Sequence, residues 1–446
     1  MALGITPIEI VNKGTHPLLV KDGEWERVEL SNIADVQNGY AFPSELFNHK
    51  DGLPLIRIRD IFSAKTENYY SGEYNDDFVV GHNDILIGMD GDFKISRWPG
   101  QKGLLNQRVC RIKFFSSYYL ESFLFICVQP YLDAIHSETS AVTVKHLSSR
   151  TISDIPLPLP PLPVQRAIVS KIEALFSDLD NGIANFKKAQ EQLKIYRQAV
   201  LKRAFEGYTT LTNIGEEFNF VGGGTPSKAN SDYWNGELYW CSVKDVKGDY
   251  LHRTIDRITM KGLNESASNL VQSDEVILIT RISPGKTIIS KVETAINQDL
   301  KVVKPKRDYL PKLIHFLFQA YQREIIKLSN GTTVLGINLT NLKSIKIPYL
   351  NSEEQTQIVQ EIESRLSVCD KMEQSISESL EKAEALRQSI LKKAFEGKLL
   401  SQAEIEQCKQ TADYEPASEL LKKIRAEKLA KEQEKKKSTT KKKSKK

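Results

Sequence analysis

The chain has 446 residues, 40% hydrophobic and 27% charged, with a formal net charge of +5. That length is too great for one hydrophobic core and predicts two or three domains of ordinary globular composition. The positive charge comes from one end: residues 421–446 hold 13 Lys/Arg against 3 Glu, so residues 1–420 sum to −5, which excludes a generally basic nucleic-acid binder.

The longest apolar stretch, Tyr118 to Leu132, is broken by Glu121, Ser122 and Gln129 and falls short of a membrane span. The N-terminus lacks a signal-peptide pattern. Cys110, Cys127, Cys241, Cys369 and Cys408 are scattered with no CxxC pair, which suggests neither a disulfide framework nor a zinc site. The expectation is a cytoplasmic protein with reduced thiols, no metal and no membrane partner.

Residues 1–154 read as a first α+β domain. Short β-like runs (Leu55 to Ile58, Asp84 to Ile87) alternate with turns rich in Gly, Asn and Asp, and Ser117 to His136 is an apolar helical stretch. Between Phe93 and Lys113 stand six cations (Lys94, Arg97, Lys102, Arg108, Arg111, Lys113) and no acid. Such a cluster fits either a surface facing a nucleic-acid groove or an exposed strand pair with solvated charges.

Residues 155–207 form a spacer segment. A proline-marked run from Ile155 to Pro163 predicts a rigid hinge between domain and helix. The helix after it places Ile172, Leu179, Phe186, Leu193 and Val200 seven apart, beside a second row of Ile168, Leu175, Ala189 and Tyr196. Two such rows predict a coiled-coil seam along a rod of roughly 60 Å. Gly207 stands where a helix stop belongs.

Residues 208–344 read as a second α+β domain, with a β-like run at Val276 to Ile279 and a helical stretch from Pro311 to Leu328. Gly222-Gly223-Gly224 could admit a phosphate but is more simply a turn. Lys301 reads as surface charge, and the acids near it are not repeated in the first domain. Residues 345–400 repeat the spacer: Pro348, then Ile362, Cys369, Ile376, Ala383 and Ile390 in sevens, flanked by Ile358, Met372 and Leu386, with Gly397 at the end. Residues 401–446 are expected to be helical at first and then a disordered lysine-rich tail.

The repetition outranks these details. Residues 165–207 return at 355–397 without a gap, with 16 of 43 positions identical, including Gln165/Gln355, Arg197-Gln198/Arg387-Gln388 and Ala-Phe-Glu-Gly at Phe205 and Phe395. The globular parts echo more weakly, as in Asn106-Gln107 against Asn297-Gln298 and Thr143-Val144 against Thr333-Val334.

Two diverged α+β domains, each followed by a repeated helix, resemble the DNA-specificity subunit of a Type I restriction–modification enzyme. The runs that carry the likeness are Trp25 to Leu30, Gly88 to Trp98, Gly223-Gly224-Thr225-Pro226-Ser227 with Tyr233 to Gly236, and Ile296 to Leu300. The resemblance spans about residues 20–400 and leaves the lysine-rich tail outside the pattern.

It implies two target-recognition domains alternating with two long helices that pair as an antiparallel coiled coil, each domain reading half of an interrupted sequence in double-stranded DNA. Candidate DNA-contacting residues are then Lys94, Arg97, Lys102 and Arg108 in the first domain, and Thr225, Ser227, Lys228, Lys244, Arg281 and Lys286 in the second. The repeated helices (Gln165, Arg197, Gln198, Phe205; Gln355, Arg387, Gln388, Phe395) would dock two methyltransferase subunits. A restriction or translocase subunit is a further partner that the resemblance allows.

No Asn-Pro-Pro-aromatic motif, Walker loop or HExxH spacing is present. The chain is therefore expected to be non-catalytic and without a cofactor of its own. S-adenosylmethionine, and ATP with Mg for restriction, would sit on partner subunits. The alternative is a coiled-coil scaffold whose α+β domains bind a partner other than DNA.

Overall fold

The computed structural model describes residues 6–443 apart from 15, 17, 20–24, 64, 139–145 and 332, with side chains described to residue 437. Thr143-Val144 lies outside the described residues. The chain divides into two compact units, residues 1–183 with 381–446, and residues 184–380.

In the first unit, strands Ala34–Asn38, Val109–Phe114, Ile85–Gly88 and Ile95–Arg97 form an antiparallel sheet in that order. A second sheet of five short strands contains Leu53–Ile56 paired in parallel with Gly103–Leu105. The run 85–88 is apolar throughout because it is buried on both faces. Ile85 and Ile87 point to the cluster beneath helix α1 (Glu121–Glu138), while Leu86 points to Ile56, Trp98 and Leu105. The expected helical stretch thus begins at Glu121, after a turn.

The proline-marked run is held as a strand. Pro156–Pro158 pairs antiparallel with Arg27–Glu29, and the Tyr131 hydroxyl and the Arg27 guanidinium (3.0 Å) both donate to the Pro156 carbonyl. Proline has no N–H to give, so a two-stranded ladder open on one side is where it fits. The stiffness expected of a hinge comes from this pairing.

Helix α2 (Leu162–Ala204) follows at once. Gln165, fully buried in its first turn, accepts from Leu120 N (2.7 Å) and donates to the Pro160 carbonyl (2.8 Å), tying the helix start to the segment leading into α1.

The second unit repeats the plan with more strand. A five-stranded sheet runs Phe218–Gly222, Leu300–Pro305, Val276–Ile279, Thr287–Ser290, Tyr250–Leu251, and a four-stranded one runs Asp256–Ile258, Trp234–Cys241, Thr294–Ile296, Asn269–Val271. Val276 and Leu278 face helix α3 (Pro311–Ala320), while Ile277 and Ile279 face the other cluster. The helical stretch expected to reach Leu328 breaks at Tyr321 into α3 and a short turn of helix, Gln322–Lys327. Lys346–Pro348 pairs with Leu211–Asn213 as its counterpart does in the first unit. Helix α4 (Ser352–Phe395) holds in its first turn Gln355, 2% exposed, which accepts from Leu310 N (3.2 Å) and donates to the Asp308 carbonyl (3.1 Å).

Each unit therefore holds one α+β domain, the start of the helix that follows it and the end of the other helix. Phe205, at the end of α2, is buried in the core of the second unit, and Phe395, at the end of α4, packs against that of the first. Gly207 and Gly397, both at positive φ, terminate the two helices. The helices pair antiparallel. Of the two expected hydrophobic rows, the seven-step row is the real seam, with Ile172, Val200, Ile362, Cys369, Ile376 and Ile390 buried. The second row fails as a seam: Tyr196, Met372 and Leu386 are 46%, 51% and 50% exposed, while Ile168 and Ile358, near the two helix starts, are buried.

The tail is helical beyond the point where disorder was expected. Helix α5 (Ala417–Lys443) buries Leu420 and Ile424 in the core of the first unit, Lys431 and Lys435 reach Asp35 (2.9 and 2.8 Å), and the Lys431 ammonium lies over the Phe115 ring. Docking against an acid and an aromatic ring offsets the self-repulsion of the lysines.

Candidate nucleic-acid interface

In the second unit the Gly223 to Ser227 loop crosses the end of two strands and is fixed by two indoles. Trp240 Nε1 donates to the Gly224 carbonyl (3.2 Å) and Trp234 Nε1 to the Ser227 carbonyl (3.1 Å), the two rings meeting edge to face. Gly223 is required by packing: a Cβ there would stand 2.2 Å from the Asn297 carbonyl oxygen. The glycine run thus serves the close approach of backbones. Gly39 does the same against the Asn106 carbonyl in the first unit, where a Cβ would stand 2.0 Å away.

The fixed loop borders an open cleft of about 470 Å³ lined by Thr225, Lys228, Trp240, Ser242, Lys244, Asp256, Asn297 and Gln298. Three expected residues, Thr225, Lys228 and Lys244, meet here. The Thr225 hydroxyl donates to Gln298 Oε1, and Lys244 Nζ lies 2.8 Å from Asp256, whose hydrogen bond raises the lysine's pKa. Ser227 contributes its carbonyl to the loop, and Lys286 is exposed on a turn outside the cleft lining. Arg281 is linked to the cleft through Asp299 (3.2 Å), which also takes the Gln298 amide (3.3 Å).

Lys301 is half-buried, its pKa lowered by desolvation, and it donates to the Gln298 carbonyl (3.3 Å). The reading of Lys301 as plain surface charge is therefore corrected: it supports the turn that carries Gln298.

The cationic stretch of the first unit is largely neutralised. Lys94 pairs with Asp133 (3.0 Å) and Arg97 with Glu121 (2.7 Å), both acids on α1. Arg108 pairs with Asp90 (2.9 Å). Arg111 is buried and spends its guanidinium on Asp84, Gln37 and two carbonyls. Burial, with Arg111 nearby, lowers the pKa of Lys113. The absence of acids between 93 and 113 was a property of the sequence window; the fold brings acids in from other elements. Lys102 is exposed at the turn before Gly103.

A residue that the sequence reading missed is Arg59. In the second unit the strand Trp234–Cys241 leads into a turn in which Asp245 accepts from Ser242 N (2.9 Å) and Lys244 points outward. In the first, Leu53–Ile56 leads into the same turn, with Asp60 accepting from Arg57 N (3.0 Å) and Arg59 in Lys244's place. Arg59, 62% exposed, lines a cleft of about 570 Å³ with Pro54, Asp60, Lys65, Thr66, Glu67 and Tyr69. Arg57-Ile58-Arg59-Asp60 and Ser242-Val243-Lys244-Asp245 share an apolar residue, a cation and an aspartate in the same order, a signal short enough to pass unnoticed.

The helix residues divide. Gln165, Gln355 and Phe205 are buried and hold the fold, and half-buried Phe395 packs on the core of the first unit. Of the docking residues expected, these four are committed internally. Arg197 and Arg387 form ion pairs between the helices, while Gln388 is exposed and Gln198 partly so. Among the described residues no helix is long and apolar enough to cross a membrane, and no group of three His, Cys, Asp or Glu side chains could hold a metal ion.

Known proteins share this organisation. The family described as Type I restriction modification DNA specificity domain matches twice, at residues 22–188 and 209–382. The EcoBI specificity subunit of Escherichia coli is 31% identical over 96% of this chain and 98% of its own length. The EcoKI specificity subunit of Escherichia coli strain K12 is 24% identical over 91% of this chain and 96% of its own length. Two solved structures share the fold at 18% identity. One, from work on complex assembly and conformational transition of the type I R-M system, has a TM-score of 0.66 and covers 84% of this chain and 98% of its own; the HsdS subunit from Thermoanaerobacter tengcongensis has a TM-score of 0.54 and covers 84% and 97%. With two matched domains, a relative aligned almost end to end and the same fold, the chain belongs to the non-catalytic DNA specificity subunits of Type I restriction–modification systems.

Proposed function

We propose that this subunit reads an interrupted DNA target, one half-site by each α+β domain, and assembles two methyltransferase subunits along its paired helices. One observation carries the reading: key bonds of the frame recur at a constant offset of 190 residues, while the surfaces it holds differ. Gln165 and Gln355 make the same bonds in the two units, and Arg59 and Lys244 stand at the same turn, yet the clefts beside them are lined by different side chains. Duplicated support with diverged tips is what two different half-sites require. Lysines and arginines around the clefts would hold phosphates, and Asn, Gln and Arg can pair with base edges.

The half-exposed apolar residues of the failed second row, Tyr196 and Met372 in one unit and Leu386 in the other, offer surface for the partner subunits. S-adenosylmethionine, and ATP with Mg²⁺ where a restriction subunit joins, belong to the partners in this reading, and the site of action is the cytoplasm.

The test is a domain exchange. Replacing residues 1–154 with the corresponding domain of another specificity subunit, in complex with the methyltransferase, should change one half of the methylated motif and leave the other. A change in both halves defeats the two-reader scheme. A wild-type complex with no sequence preference at physiological salt would point to a scaffold instead, because sequence-independent binding is mainly electrostatic.

A further inference from the structure

Strands Ile85–Gly88 and Val276–Ile279 occupy equivalent places: Gly88 pairs with Val109 in the first unit and Ile279 with Leu300 in the second. Two residues beyond the first member of each pair stand Asp90 and Arg281. One residue before the second member stand Arg108 and Asp299. Both couples form ion pairs, Arg108 Nη1 to Asp90 Oδ2 at 2.9 Å and Arg281 Nη1 to Asp299 Oδ1 at 3.2 Å. The same cross-strand bond is therefore made with its polarity reversed. In both units the arginine is the exposed partner, 53% in each case, against 20% for Asp90 and 12% for Asp299.

A surface ion pair of this kind adds little to stability in either orientation, so the fold has no use for the reversal. What the reversal alters is the strand from which a guanidinium is presented. The carboxylate takes one corner of the fork and restrains its rotation, leaving coplanar N–H groups directed outward, the arrangement that matches guanine O6 and N7. Asp299 is in turn held by Gln298, which lines the cleft. Beside the aspartate or arginine the backbone is left-handed in both units, at Gly91 (φ 74°) and Ile282 (φ 76°). A β-branched residue in that conformation is strained, and such strain gathers where a ligand is met. Ile282 is also 55% exposed, an apolar side chain set next to the fork.

We propose that Arg281 and Arg108 each read a guanine in the major groove, one in each half-site, with Asp299 and Asp90 as positioning residues. The proposal rests on the DNA-reading function above and names its specificity-determining residues. The test is the methylated motif written by the complete methyltransferase complex in a host lacking its own.

Arg281→Gln should lose discrimination at one guanine of the second half-site, by roughly 5- to 150-fold, with the first half-site unchanged. Arg108→Gln should do the converse. Arg281→Lys should fail to rescue, since it keeps the charge and loses the fork. The double variant Arg281→Asp with Asp299→Arg keeps the pair and copies the first unit's polarity, so it tests the idea even where a single variant folds poorly; its second half-site should change. Unaltered motifs in the Gln variants, rescue by lysine, or weaker binding spread evenly over all sequences would overturn the proposal. If the wild-type complex writes no bipartite motif, the failure lies with the DNA-reading function and not with these arginines.

Discussion

Arg197 holds Asp370 and, at 3.1 Å, Glu373, all within the second unit; Arg387 holds Asp180 within the first. Asp370 and Arg387 lie 190 residues after Asp180 and Arg197, the spacing of the sequence repeat, so each unit makes one copy of a single reciprocal bond. The copies are unequal. Arg387 also stacks 4.4 Å from the Phe176 ring, where the equivalent position near Arg197 is Leu366, while Arg197 has the extra carboxylate of Glu373.

From this asymmetry, Arg197→Ala should destabilise the second unit by about 1 kcal/mol, as expected for a small, partly exposed charge network. A double-mutant cycle of Arg197→Ala with Asp370→Ala, read by urea unfolding, should give a coupling of about 0.5–1 kcal/mol. No coupling would mean that the bond is geometric only.

Gln165 and Gln355 are expected to matter more than the arginines. Gln165→Leu strands the buried Pro160 carbonyl and the half-buried Leu120 N–H, and Gln355→Leu removes the partners of the Leu310 N–H and the Asp308 carbonyl, which sit on more exposed residues and cost less. Each buried unsatisfied group costs about 1–3 kcal/mol. Both variants should lower the unfolding midpoint clearly, whereas Gln388→Leu on the exposed face should leave it within about 0.5 kcal/mol of wild type.

Glu217 gives a pH signature. Burial alone would raise its carboxyl, but bonds from Arg307 (2.6 Å) and the Tyr309 hydroxyl (2.8 Å) outweigh it and hold the pKa below the ordinary glutamate value. A depressed folded pKa means that the unfolded chain takes up the proton first. The stabilisation is therefore full above the unfolded pKa, about 4.3, and is lost as pH falls through the lower folded value. The stability gap between wild type and Glu217→Gln should be present at pH 7 and shrink below about pH 4. A gap unchanged down to pH 3 would show that the carboxylate's charge is not what matters.

Around the second cleft, Lys228→Ala and Lys244→Ala should weaken DNA binding by the complex equally for target and non-target duplexes. Each phosphate left without its lysine should reduce the slope of log affinity against log salt by roughly 0.9. Arg59→Ala should do the same from the first unit. A change of motif in any of these variants would reassign that residue to base reading.

Ile424 anchors the tail in the first unit's core. Ile424→Ala should cost about 2–5 kcal/mol by the cavity it leaves. Ile424→Ala should also raise protease sensitivity within residues 401–446. A tail equally protected in the variant would show that the lysine bonds to Asp35 hold it without the apolar anchor.

The sequence by itself determined the repeat, the two α+β domains, the long helices with their glycine stops, and the family. These rest on local periodicity and on identities 190 residues apart, which survive in one dimension. It also brought Thr225, Lys228 and Lys244 to attention together. The tertiary structure alone decided which charges are free. Lys94, Arg97, Arg108 and Arg111 read as an uncompensated cluster until Asp133, Glu121, Asp90 and Asp84 arrive from other elements. It also decided that Tyr196, Met372 and Leu386 stay half in water, because a two-helix seam covers chiefly one row and the second is buried only near the helix starts, at Ile168 and Ile358. Charge neutralisation and burial depend on distances between residues far apart in the chain, and those distances exist only once the chain has folded.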